Sequence, residues 1–502
     1  MSTLETERPT RTPLPRSVTD RSVLALARAE ARRLLLHPLV AVAVLGHLAV
    51  VLWPGGATGQ DFPVLQEVAR ETQLGPLLVG LATLLAVNGA VLRSRRHGTD
   101  AHFDVLVLPA WRRTIAHALS ITPVVLIAAL LVAGQFAREA VRPGAAGHVP
   151  IAELVTGPLL VALLGSLGVV LARLIRSVLA APMAAIVIIA ITFVIPVDSG
   201  PLRWLVPLVA DEGARPLPAD LIGRPAAWHA LYLAALAVLA VLAAVLAGGA
   251  RTPAITATAA AALATTVAAA VLQAQGPSDA LAAARDRATN DPSSMQVCED
   301  AGPTTYCAFP EFEPWLAEWR KVAEGVRALT PVQRKITVRQ RVHAADGPSS
   351  LRDLPPAPRG EVTVGTAWDG TRRLEFAGSV ARGLVLDDES DRGVKCDARG
   401  IVTMWLAISG IPDGEARYAE ARTHITGGGG SILAPVNPIV LRDREYAAVK
   451  ALLKKPKPEV TRTLKASWPE LTSPKTTTDR AATLLGIPVP PETPTDRNWN
   501  CT

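Results

Sequence analysis

Trp228–Gln273 reads WHALYLAALAVLAVLAAVLAGGARTPAITATAAAALATTVAAAVLQ. A helix needs roughly 20 mostly apolar residues to cross a bilayer. This run is too long for one crossing and right for two, Trp228–Ala247 and Pro253–Gln273, with Gly248–Thr252 as the turn. Working back toward the N-terminus, the same test finds Val178–Pro196, Val155–Ala172, Ile115–Phe136, Gly75–Leu92 and Leu35–Trp53. The count is seven, and an odd count leaves the two ends of the chain on opposite sides.

Basic residues orient the bundle. With the N-terminus inside, inner segments carry fifteen arginines, among them Arg28, Arg32, Arg33, Arg93, Arg95, Arg96, Arg112, Arg113, Arg173 and Arg251. Outer segments carry six: Arg70, Arg138, Arg142, Arg203, Arg215 and Arg224. That bias is the positive-inside rule, and it explains the pI near 9.5 better than nucleic-acid binding does. Trp53, Trp204 and Trp228 fall near the outer boundary and Trp111 near the inner one, where amphipathic rings sit. The first apolar run starts late and lacks a cleavage site, so it reads as an anchor rather than a signal peptide.

The cysteines agree with this topology. Cys298, Cys307, Cys396 and Cys501 all follow the last span. Paired thiols point to an oxidising compartment, which places residues 274–502 outside. Four cysteines allow three connectivities. Cys298–Cys307 would close a short loop near the membrane, and Cys396–Cys501 would tie down the C-terminus. A four-cysteine zinc site is the alternative, for which C-x8-C is poor spacing. The expected fold is therefore an α-helical polytopic membrane domain of about seven transmembrane helices, N-terminus inside, plus an extracytoplasmic α+β domain. Residues 1–20 form a disordered cytoplasmic tail, 21–273 the membrane domain and 274–502 the outer domain.

Few polar residues interrupt the spans; His47, Asn88 and Gln135 are the main ones. Ion-coupled carriers keep ionisable groups at mid-membrane, so their scarcity argues against one. Two cytoplasmic elements stand out. Ser22–His37 has Val23, Leu24, Leu26, Ala27, Ala31 and Leu34 largely on one face and Arg28, Arg32 and Arg33 on the other, the pattern of an interfacial helix. An N-terminal extension of the first span is the plainer alternative. The longest inner loop, Arg93–Arg113, reads RSRRHGTDAHFDVLVLPAWRR. Within it Asp100–Leu108 suits a short helix, with Thr99 or Asp100 near its start and Pro109 at its end.

This order of parts resembles the permease subunit of a type-2 ABC exporter, over roughly residues 20–250. The family's Gly-Thr-Asp/Glu-x-x-(apolar)…Leu-Pro pattern before the third span is matched by Gly98, Thr99, Asp100, Phe103, Asp104, Leu108 and Pro109, followed by Arg112 and Arg113. The resemblance implies that this segment contacts a separate ATPase subunit, that the chain acts as a homodimer or a heterodimer with a related permease, and that Pro201–Ala210 is a short re-entrant element. Partners are then the ATPase and membrane lipid, with no nucleic acid, and the setting is a bacterial, actinobacterial plasma membrane. The segments around Cys298–Pro310 and Lys395–Ala407 are similar to outer domains of actinobacterial permeases that resemble inactive metallopeptidases, which implies recognition rather than hydrolysis.

The chain carries no nucleotide site of its own. A phosphate loop needs G-x-x-x-x-G-K-[ST], and Gly427–Gly430 is followed by Ser431-Ile432-Leu433 without a lysine. ATP is thus expected to be used by the partner, with no cofactor or metal in this chain. There is no H-E-x-x-H or G-x-S-x-G either, so no catalytic residue is named. Asp387, Asp388, Glu389 and Asp391 depart from the EF-hand pattern, with Arg392 where glycine should be. Leu281–Asn290 is expected to connect the outer domain to the last span, and helices are expected at Phe312–Leu329, Tyr446–Leu453, Glu459–Leu471 and Asp479–Leu485. Strands are expected at Ile336–Val342, Glu361–Trp368 and Arg373–Val380, and Ile401–Ile408 reads as a buried helix or strand.

Overall fold

A computed structural model of the chain describes all residues except 1–15, 54–60, 100–107, 176, 195–199, 209–215, 345–353, 355–356, 387–393, 423–428, 433–437, 498–500 and 502. The membrane half is a helical bundle: α1 (Arg16–Leu35), α2 (Pro38–Leu52), α3 (Leu65–Glu71), α4 (Leu74–Val91), α5 (Ala110–Leu119), α6 (Thr122–Ala140), α7 (Ile151–Leu174), α8 (Ala180–Val194), α9 (Ala226–Ala247) and α10 (Pro253–Gln273). Five helical segments are long and apolar enough to cross a membrane: Leu65–Val91, Ala110–Ala140, Ile151–Leu174, Ala226–Ala247 and Pro253–Gln273. A sixth is the pair α1–α2, bent by 62°. The expected span at Val178–Pro196 falls short of this length, because α8 is described for only 15 residues.

Side-chain contacts sort the helix ends into two poles. At one, Arg93 of the turn Arg93–Arg96 pairs with Glu30 of α1, and Trp111 of α5 lies against Gly248 after α9. At the other, Arg138 of α6 donates to the carbonyls of Val51 and Trp53, and His229 of α9 meets Gln273 of α10. Arg224, just before α9, reaches Glu67 of α3 and Glu153 of α7. The chain enters α8 from the Arg173 pole and leaves toward the 3-10 turn Gly200–Leu205, where Trp204 packs on His229. Helix α8 lies against α4 and α7.

Helix α7 is the hub, packed on α4, α6 and α9. Its glycines let backbones approach closely. A Cβ at Gly168 would lie 2.5 Å from the Leu84 carbonyl oxygen, and one at Gly165 would lie 2.8 Å from Ile121. Asn88 donates to the Gly168 carbonyl at 3.3 Å, tying α4 to α7 at that point. The large exposed side chains, such as Leu39, Val42 and Leu45 of α2 and Met183, Ile186 and Phe193 of α8, point away from the bundle.

Helix α1 packs on the bundle along one side. Val23 and Ala27 are buried against Ala116 of α5, and Glu30 is buried near the bundle. Part of its apolar face thus covers protein, while Leu24 on that face and Arg21, Arg28 and Arg32 stay exposed.

After α10, α11 (Asp279–Asn290) leads into a four-stranded sheet of order β1-β2-β3-β4. Strands β1 (Val297–Ala301) and β2 (Thr304–Ala308) form an antiparallel hairpin, whereas β3 (Ile336–Gln340) and β4 (Glu361–Val364) add in parallel. Helices α12 (Leu316–Arg327), α13 (Gly370–Val385), α14 (Ala398–Ser409), α15 (Gly414–Arg422), α16 (Asp443–Leu453), α17 (Lys457–Ala466) and α18 (Thr478–Leu485) share one core with it. A two-stranded ribbon, β5 (Gly430–Ile432) with β6 (Ile439–Leu441), completes the domain. Disulfides join Cys298 to Cys307, directly paired across the hairpin, and Cys396 to Cys501.

Three element assignments differ from the sequence reading. Arg373–Val380, expected as a strand, lies inside α13, whose Asp369 side chain caps the helix by accepting from Arg372 N at 2.8 Å. Phe312–Leu329 is not one helix: Pro310–Trp315 is a 3-10 turn with Pro314 inside it, and α12 starts after it. Glu459–Leu471 breaks at Ser467, because Pro469 cannot continue the backbone hydrogen bonds.

The glycine contacts make a paired prediction. Gly168→Ala meets the Leu84 backbone and is expected to destabilise the bundle by about 1–3 kcal/mol. Gly134→Ala in α6 meets nothing within 4 Å, and should be neutral or stabilising by up to ~1 kcal/mol. Thermal unfolding of the detergent-purified variants checks both.

Candidate functional site

The sequence-predicted coupling segment lies at the Glu30 pole. Asp100, Phe103 and Asp104 lie outside the described residues, as does most of the expected Asp100–Leu108 helix. Thr99 folds back locally, its hydroxyl donating to the Ser94 carbonyl at 3.2 Å. Pro109 takes the N-cap position of α5 in an extended conformation, so α5 begins where the loop ends. Leu108 packs against a cluster made by Val23 and Ala27 of α1 and Ala116 of α5. Arg112 reaches Asp20 at 3.4 Å and lies over the Trp111 ring. Glu30 accepts from Arg33 at 2.9 Å and Arg93 at 3.1 Å. Arg113 and Arg173 face the same neighbourhood through His117. The structure therefore brings Leu108, Pro109, Arg112 and Arg113 together with α1.

The opposite pole holds a second assembly, which the sequence reading missed. Gln66 of α3 donates one amide group to both the Leu217 carbonyl (3.0 Å) and the Glu311 carboxylate (3.1 Å). Glu311, in the outer domain, also accepts from Ala219 N at 2.9 Å and sits 3.7 Å from His148. Trp315 donates its indole N–H to the Gly144 carbonyl at 2.7 Å. Arg285 of α11 donates to the carbonyls of Leu221 and Ile222. Val64 and Ala146 form a β-bridge, and both belong to the core of the outer domain. The domain is thus seated directly on the loops that join α2 to α3, α6 to α7 and α8 to α9.

Beneath this joint lies a chain of ion pairs. Glu67 accepts from Arg70 at 3.0 Å and from Arg224 at 2.7 Å, and Arg224 reaches Glu153 at 3.4 Å. Glu139 pairs with Arg142 at 2.7 Å. A cavity of ≈ 30 Å³ is lined in part by Arg70, Gln73, Glu153, Trp204, Arg224 and His229. That is room for about two waters, too little for a sizeable solute. Among the described residues, no group of three or more His, Cys, Asp or Glu is placed to hold a metal ion.

These residues were legible only as charge. All six flank predicted spans; the sequence reading uses Arg70, Arg142 and Arg224 only to orient the bundle, and Glu67, Glu139 and Glu153 not at all. Their clustering at the outer ends of spans was the available signal that they neutralise one another there. The chemistry of the joint is mechanical: it fixes the outer domain to the helix ends. No known protein family model matches the chain, and no curated protein or solved structure is significantly similar to it.

Two predictions follow from the joint's electrostatics. Removing Arg224 leaves Glu67 and Glu153 buried with fewer partners, and Arg224→Ala should cost about 3 kcal/mol, read as a lower unfolding midpoint. Burial holds the Glu311 carboxyl above its usual range, opposed by the hydrogen bonds from Ala219 and Gln66. The folded protein therefore binds more protons than the unfolded one between the ordinary and the raised pKa. Across that window the carboxyl favours folding as pH falls, and the contribution is lost as pH rises. Relative to Glu311→Gln, the wild type should gain stability as pH is lowered through it. A pH-independent difference between the two would refute this.

Proposed function

We propose that this chain is the membrane-spanning subunit of an ATP-driven ABC transporter of the exporter kind, working with a separate ATPase subunit. In this reading seven helices cross a bacterial plasma membrane with the N-terminus inside, and the disulfide-bearing domain lies outside. The chain assembles as a homodimer or with a related permease, and ATP is bound only by the partner.

The observation that carries the reading is the packing of Leu108 between α1 and α5. A push on residues 99–113 is delivered at once to both helices. Through the contact of Trp111 with Gly248 it also reaches α9. The arginines around this segment suit an acidic surface on the ATPase. At the far pole, hydrogen bonds and ion pairs tie α3, α7 and the start of α9 to one another and to the outer domain.

That joint favours a second reading. A domain held by Gln66, Glu311, Trp315 and Arg285 moves with the helices that carry it. The ATPase would then reposition an envelope-facing binding domain without moving a solute through the bilayer.

Affinity purification of the tagged chain from its native membrane tests both. A stoichiometric ATPase is expected, and Phe103→Ala, Asp104→Ala or Arg112→Glu should reduce its recovery at unchanged permease yield. Absence of any ATPase from the wild-type preparation would overturn the proposal. Given an ATPase, stimulation of its activity by a solute favours transport over the signalling or scaffold reading.

A further inference from the structure

The chain uses arginine almost everywhere, 42 against nine lysines, yet five of those lysines fall between residues 450 and 465. The stretch KALLKKPKPEVTRTLK spans the end of α16 and all but the last residue of α17. It holds Lys450, Lys454, Lys455, Lys457, Arg462 and Lys465 against one carboxylate, Glu459. The outer domain as a whole is nearly balanced, with 30 basic and 29 acidic residues from 274 to 502. The positive charge is therefore segregated, not general.

Some of these side chains have local partners. Lys455 donates to Glu459 at 3.2 Å and to the Leu485 carbonyl, Lys457 donates to the Ser409 carbonyl, and Lys450 lies over the Tyr446 ring. Lys454, Arg462 and Lys465 are exposed and make no hydrogen bond or ion pair among the described residues. Helix electrostatics opposes part of this arrangement. Arg462 and Lys465 are like charges three residues apart on one helix face. Lys457 is the first residue of α17, where the helix dipole favours anions over cations. A fold that accepts such local conflicts usually does so where a ligand relieves them.

The surroundings select the kind of ligand. Among described residues beyond Val297, no large apolar side chain is exposed. A bilayer-binding surface needs apolar residues to insert beside its cations. Protein interfaces have aromatic centres and are depleted of lysine. The ridge offers neither, and it stands apart from the joint, which is built from Glu311, Trp315 and Arg285. Lysine is a hydrated point charge on a flexible stem, suited to a row of phosphates without fixed geometry. We propose that Lys454, Lys457, Arg462 and Lys465 form a docking ridge on the outer domain for an extended phosphate-bearing polyanion. The ridge is independent of which reading of the membrane half holds.

The test uses the full chain in detergent and inorganic polyphosphate as probe, with vesicles of anionic phospholipid as a second arm. Polyphosphate should bind at physiological salt, with a log–log salt slope of about −3 for four neutralised phosphates. Lys454→Glu, Arg462→Glu and Lys465→Glu combined should weaken binding roughly ten-fold or more. Lys321→Glu, Lys335→Glu and Arg359→Glu combined change net charge equally on other exposed positions, and should leave the salt slope and affinity near wild type. No binding to polyphosphate, equal losses in both triple variants, or tighter binding to the vesicles than to polyphosphate would each overturn the proposal.

Discussion

Arg224 sits between two carboxylates from different helices, Glu67 of α3 and Glu153 of α7. A charge taken out of water must be neutralised or it is expelled. With Arg70, which also pairs with Glu67, two positive charges balance two negative ones, and Arg224 fixes the start of α9 against two neighbours. The loops above them are then held at known positions, and Gln66, one residue before Glu67, is aimed at Leu217 and Glu311. Seating of the outer domain therefore depends on the ion pairs below it. At the opposite pole Glu30 serves a similar purpose with Arg33 and Arg93.

Between the poles the bundle is held by shape. Gly165 and Gly168 of α7 admit α4 and the start of α6 at distances no side chain would allow. Without a hydrophobic driving force between helices in lipid, such close approach and the Asn88 hydrogen bond carry the association. The division of labour is physical. Charge organises the ends, where partners and water are near, and packing organises the middle.

How much of this could be read from the residues depends on the range of the interaction. Pro253–Gln273 has identical bounds in the sequence reading and the structure, because Thr252 and Pro253 mark the start within the chain itself. Helix α13 was misread because it is buried on nearly every face, so alternation and helical period cannot be separated in RRLEFAGSV. The cap at Asp369 was the missed local sign. The β1–β2 hairpin was missed because its first strand is almost wholly exposed and carries no alternating pattern. The joint was illegible for a deeper reason. Gln66 and Glu311 are 245 residues apart, and no local pattern records such a pairing. Of the coupling segment, Leu108 and Pro109 read as the end of a helix over Asp100–Leu108; that Pro109 caps the start of α5 and that Leu108 packs on α1 was not legible.

Helix α8 has one more consequence. It turns Met183, Ile186, Val187 and Phe193 away from the bundle. Such a flank is stable only where acyl chains, detergent or another apolar protein surface cover it. In bare water this flank would associate with whatever apolar surface is nearest, so the behaviour of the chain outside a membrane or micelle is set by α8 as much as by its net charge.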